Sequence, residues 1–199
     1  MASAVDSSRP GDATPDRYWV VPAVRSVLGI VIGCVIAFTK DSHTAFFGLI
    51  VFGIFATLDG LATGILTVVF SSRGLMRTQF VIQGLVGLAA GVLALALSGN
   101  GLGMFLYLVT VWALITGALE LYGGIRDRHA HAGARDWIFT GILSVTLAII
   151  LVLVPDDPLL AIGLFGSWAV ITGVFQAIGA ASLRFASRAK NQEQTGRES

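Results

Sequence analysis

Two carboxylic acids, Asp59 and Glu120, stand inside long apolar runs of this sequence, and they are the first residues to ask for chemistry. Asp59 lies fourteen residues after Ala45 and eleven before Phe70. In a helix rising ~1.5 Å per residue that is close to the middle of a bilayer, too deep for a short side chain to reach water. The carboxyl must then be protonated, paired, or turned to an internal cavity. Arg25, about four helix residues nearer the arginine-bearing end, is the one basic side chain near enough to approach it. The aligned Thr116 and Thr172 offer hydroxyls but no compensating positive charge, so Asp59 is expected to hold a proton, with stability falling as pH rises and Asp59→Asn keeping the fold. Glu120 is only five residues before Ile125, where a longer side chain can snorkel. Arg25 lies five residues after Val20 on an oppositely running segment, which puts it at the depth of Glu120 and predicts an Arg25–Glu120 ion pair.

Other polar residues fall into line with these acids. Asp59, Thr63 and Thr67 are spaced by four, and Thr116 with Glu120 and Thr172 with Gln176 repeat the spacing, so three helices each carry one polar stripe. Facing one another, the stripes would bind a proton or an ion. The competing reading is structural: threonines bond their own helix carbonyls, and the acids and amide hold helices together. His129-x-His131 has two imidazoles without a cysteine partner and predicts a solvated loop rather than a metal site. Pro155-Asp-Asp-Pro158 reads as a tight turn. No Gly-x-Ser-x-Gly, His-Glu-x-x-His or phosphate-loop motif is present, so neither an enzyme nor a cofactor is expected.

The elements that hold these residues repeat. Phe52-Gly-Ile-Phe-Ala-Thr-Leu-Asp-Gly-Leu-Ala-Thr-Gly64 returns as Trp112-Ala-Leu-Ile-Thr-Gly-Ala-Leu-Glu120 and as Trp168-Ala-Val-Ile-Thr-Gly-Val-Phe-Gln176, at offsets of 57 and 56 residues. Six apolar runs, roughly 20–38, 45–70, 80–97, 102–125, 137–154 and 159–183, each match the ~17–25 residues of a membrane-spanning helix. With 55% hydrophobic and 13% charged residues and a mean hydropathy of +0.80, a soluble domain of this length could not hide its apolar surface. The net charge of +1, without a basic stripe, argues against nucleic acid. Single Cys34 excludes an internal disulfide and is expected to pack within a helix.

The odd-numbered runs repeat too. Arg25-Ser-x-x-Gly29-x-x-x-Gly33, Gln83-Gly-x-x-Gly87-x-x-x-Gly91 and Thr140-Gly-x-x-Ser144-x-x-x-Ala148 place small residues four apart, as does Gly60-x-x-x-Gly64. Helices in lipid need such surfaces because they gain nothing hydrophobic from associating. Gly29, Gly33, Gly87 and Gly91 are therefore expected to be buried against a neighbour, while Leu49 is expected on a lipid face. The fold class is all-α: a polytopic membrane protein of six transmembrane helices, built as three repeated helical hairpins (about 20–70, 80–125 and 137–183) in a pseudo-threefold arrangement. Residues 1–17 and 184–199 read as polar tails. Lys40 is the only Lys or Arg in loops one, three and five, whereas the N-terminal flank through Arg25, loops two and four and the C-terminal tail carry the rest, so both termini are expected in the cytoplasm.

The three-hairpin layout, the aromatic-Ala-x-aliphatic-(Asp/Thr)-Gly motif and the small-residue pattern resemble the HdeD family of bacterial acid-resistance membrane proteins, over about Val20 to Leu183. The resemblance implies an inner-membrane protein of acid or stress tolerance. Its partners would be the lipid bilayer and a membrane protein, of another kind or a second copy. It supplies no catalytic residues. The alternative drawn from the residues is a proton-coupled transporter or channel using Asp59 and Glu120, against which stand the absence of a midmembrane proline and the small number of acids.

Overall fold

The computed structural model describes residues 19–70, 75–126 and 134–198. The expected tail 1–17, Arg73, His129 and His131 lie outside them. Six helices follow one another: α1 Val20–Phe38, α2 Ala45–Phe70, α3 Leu75–Ala96, α4 Gly101–Arg126, α5 Ala134–Leu153 and α6 Pro158–Glu198, with one 3₁₀ turn at Lys40–Ser42. All six are long and apolar enough to cross a membrane. In hydrocarbon a backbone must satisfy its own polar groups, which an unbroken apolar helix does.

Local chemistry sets several ends. The Thr44 hydroxyl accepts the Phe47 N–H at 3.2 Å at the start of α2. A carboxylate oxygen of Asp157 accepts the Leu159 N–H at 2.9 Å, with Pro158 at the first position of α6, so the Pro-Asp-Asp-Pro turn doubles as a helix cap. Gly101, with φ of +80°, turns the chain into α4 in a conformation other residues rarely adopt. Two boundaries differ from the sequence expectation. Helix α3 begins at Leu75 rather than Phe80, drawing Arg77 and Gln79 into the helix, and α6 runs to Glu198 through the stretch from Arg184 that was expected to be a frayed tail.

The closest helix pairs are α2 with α3, α4 with α5, and α1 with α6, with looser contact within α1/α2, α3/α4 and α5/α6. The intimate partners thus straddle the sequence repeats instead of forming inside them. Small residues explain why. A Cβ on Gly29 would lie 2.8 Å from the Ala169 carbonyl oxygen, and one on Gly33 would lie 3.0 Å from that of Gly166, both on α6. A Cβ on Gly87 would lie 3.1 Å from Gly60 Cα on α2, one on Gly91 would lie 2.8 Å from the Gly53 oxygen, and one on Gly84 would lie 2.9 Å from Gly64 Cα. Gly141 meets the Gly117 oxygen of α4 at 2.9 Å in the same way. The backbones touch, and only hydrogen fits between them.

Helix α2 also touches α4 and α6, and these three form the inside of the bundle. Their facing rings make its centre: Phe52, Phe55, Phe105, Trp112, Phe165 and Trp168 are all buried. The aromatic residues that head the three motif copies close on one another edge to face, Phe55–Trp112 at 5.8 Å, Phe55–Trp168 at 5.9 Å and Trp112–Trp168 at 5.3 Å between centroids. Leu49, expected on a lipid face, belongs to this core and is fully buried. It lies on the same inward stripe as Phe52 and Ala56, three and seven residues on. Cys34 lies within α1, on its exposed side beside Val31 and Val35, which face outward with it.

Candidate functional site

One helical turn from the aromatic layer toward the arginine-bearing end comes a layer of Asp59, Thr116 and Thr172, and one turn further Thr63, Glu120 and Gln176. All but Gln176 are buried. The residues occupy equivalent repeat positions but make different bonds. Thr116 donates to the Trp112 carbonyl at 2.7 Å and Thr172 to that of Trp168 at 2.7 Å, each within its own helix. At these two positions the structural reading of the polar stripe holds.

Asp59 does something else. Arg25 of α1 donates from Nε to Asp59 Oδ1 at 2.9 Å and from Nη2 to Glu120 Oε1 at 3.1 Å. The pair expected between Arg25 and Glu120 is present. The expectation of an Asp59 with no positive partner is overturned, because one forked guanidinium spans both acids and so joins α1, α2 and α4. Gln83 of α3 adds a fourth helix, donating from Nε2 to Glu120 Oε1 at 2.8 Å. Thr140, which stands where Arg25 and Gln83 stand in the other repeats, bonds the Asp136 carbonyl of its own helix at 3.0 Å.

One guanidinium faces two carboxylates, so the cluster carries a formal charge of −1 with both acids ionised. It also holds surplus acceptors and donors. Thr63 Oγ1, Gln83 Oε1 and Gln176 Oε1 are buried and have no hydrogen-bond partner among the described residues. A recess of about 40 Å³, large enough for a single water, reaches Arg25 from the same end of the bundle between Phe80, Asp136, Trp137, Thr140 and Gln176. Toward the opposite end the cluster stops at the aromatic layer. The site therefore combines a buried ion network, a small recess on one side and a wall of aromatic rings on the other. Among the described residues no three His, Cys, Asp or Glu side chains come together as a metal site.

The sequence candidates Arg25, Asp59 and Glu120 are joined in one network, and Thr63 and Gln176 lie beside it. Thr116 and Thr172 face the same layer but bond elsewhere. Sequence reasoning puts Gln83 at the depth of the Arg25–Glu120 pair by repeat symmetry, but did not count it among the site residues or predict its bond to Glu120. It also left Gln79 in a loop, whereas its side chain donates to the Leu119 carbonyl of α4. An earlier start for α3 was the missing signal.

Residues 82–153 match a short repeat of unknown function, DUF308. That stretch covers most of α3 and all of α4 and α5. No curated protein and no solved structure matches the chain. The repeat and the six apolar helices make this a small multi-pass membrane protein.

Proposed function

We propose that the protein is a small, non-enzymatic scaffold of the bacterial inner membrane, of the acid- and stress-tolerance kind that its resemblance to the HdeD family implies. Its three hairpins are arranged about a pseudo-threefold axis, and both termini lie in the cytoplasm. The observation that carries the reading is the closed contact of Phe55, Trp112 and Trp168, which packs aromatic rings across the centre of the bundle. The near-equal spacing of those rings supports the pseudo-threefold arrangement, and the arginine-bearing end supports the orientation.

The test is a proton-leak assay. Purified protein in liposomes should leave an imposed pH gradient intact, and a gradient that collapses faster than in empty liposomes would overturn the scaffold reading. A second reading, proton-coupled transport, is favoured by the buried Arg25–Asp59–Glu120 network. It requires that collapse, and requires Asp59→Asn to abolish it. Orientation is checked separately: a reporter after Ser199 should read as cytoplasmic and one at Asn100 as external.

A further inference from the structure

Helices α1 and α6 are held together by glycine contacts along most of their length, yet toward the end opposite the arginines they part around a groove of about 570 Å³. The repeat shows why it opens here. At the positions of Gly163 on α6, the corresponding residues are Ile50 on α2 and Tyr107 on α4, offset by 57 and 56 residues. At the position of Ala37 on α1, α3 has Leu95 and α5 has Val152. In the α2/α3 pair Leu95 fills the space over Gly53, where an added Cβ would meet it at 2.7 Å. In α1/α6 both sources of bulk are missing together, and a Cβ on Gly163 would meet no atom within 4 Å.

The groove has the length of a lipid chain. On α6 its lining runs from Leu159 to Ile171, roughly 18 Å of helix at 1.5 Å per residue, against the ~15 Å half-thickness of a bilayer's hydrocarbon. Its mouth is polar and carries both signs of charge. Lys40 lines it, the sole Lys or Arg of the three loops at this end. Asp41 adjoins Lys40, and Asp157 caps the first turn of α6 two residues before Leu159. His43 also lines the mouth. Its Nε2 lies 2.9 Å from the Ile36 carbonyl, which can only accept, so Nε2 carries the proton, while Nδ1 is buried and meets no donor among the described residues.

We propose that this groove is a specific binding site for one phospholipid bearing a primary-ammonium headgroup, its acyl chain lying over Gly163 and Ala37, its phosphate at Lys40 and its ammonium among Asp41, Asp157 and His43. The mixture of charges selects this chemistry. An anionic headgroup meets one cation and two acids. A quaternary ammonium meets the exposed carboxylates of Asp41 and Asp157 by charge alone and brings no N–H to donate to them.

The experiment reads melting temperature and bound lipid, by native mass spectrometry, for full-length protein in detergent given phospholipids with ethanolamine, choline or glycerol headgroups and identical chains. The ethanolamine lipid should bind one copy and raise the melting temperature most. Gly163→Leu and Ala37→Leu, which fill the groove from either side, should each lose the bound copy, and Lys40→Gln should weaken binding about five- to tenfold. Gly163→Leu should match wild type in lipid-free melting temperature, and Ala37→Leu serves if it does not. Equal responses to all three headgroups, or retention of the bound lipid in both filled variants, would mean ordinary annular lipid and overturn the proposal. Preference for the choline or glycerol headgroup would overturn its assignment of the mouth.

Discussion

The aromatic layer and the polar layer are neighbours, one helical turn apart on the same three helices, and they treat the repeat in opposite ways. Phe55, Trp112 and Trp168 are equivalent in sequence and in contact, each edge to face with the other two. Asp59, Thr116 and Thr172 are equivalent in sequence and divided in bonding, one crossing to another helix and two folding back on their own. Bulk can be shared out evenly about a common centre. Charge cannot, because a second buried guanidinium or a third carboxylate would each need its own partner in lipid. Repeat symmetry is thus kept where the need is to fill space and abandoned where the need is to neutralise.

Arg25→Ala should damage the polar layer most. It leaves two buried carboxylates without their only cation in the network, an effect of about 3–5 kcal/mol that denaturant unfolding in detergent would record as severe destabilisation. Asp59→Asn, which takes the formal charge of the cluster from −1 to zero while Arg25 keeps Glu120, should be far milder. Comparable losses in the two variants would show that the carboxylate of Asp59 itself, rather than the balance of charge, holds the layer. On the aromatic side, Phe55→Ala, Trp112→Ala and Trp168→Ala should each lose about 3 kcal/mol or more, and the three values should resemble one another. One much smaller loss would break the equivalence of the rings.

The backbone contacts beneath both layers come next. Gly87→Leu has to separate α3 from Gly60 and Ala56 of α2, and should lower stability by about 1–3 kcal/mol. Gly103→Leu, with open space around it, should melt as wild type. Equal melting of the two variants would mean that the α2/α3 approach does not limit stability. The smallest effects are expected at Thr116→Val and Thr172→Val, under about 1 kcal/mol each, since both hydroxyls only supplement a carbonyl already bonded in its own helix. A large loss at either would place that threonine in the ion network after all.

The helices themselves were legible because each is an unbroken apolar run of spanning length, and the Arg25–Glu120 pair was legible because depth in a helix can be counted from its end. The start of α3 was not, because Met76-Arg-Thr-Gln79 looks like loop until Gln79 is seen reaching Leu119. Helix partners were not legible either. A small-residue motif announces a close approach without naming the other helix, so Gly29 and Gly33 gave no hint that α6, rather than α2, would cover them. Asp59 was misjudged by treating depth as isolation: the long side chain of Arg25 bridges the turn of helix that separates them. Leu49 failed for a related reason, since its apolar neighbours give no sign of which side of α2 faces protein.

The pairing of the first helix with the last sets a timetable for synthesis. Arg25 is made 34 residues before Asp59 and 95 before Glu120, which at ~5–20 residues per second is roughly 2–7 s and 5–19 s. The glycine face of α1 waits longer still, for a helix that begins only at Pro158. During that interval a nascent chain carries a charged, half-covered α1 that nothing made so far can finish, so the bundle closes only once α6 has followed.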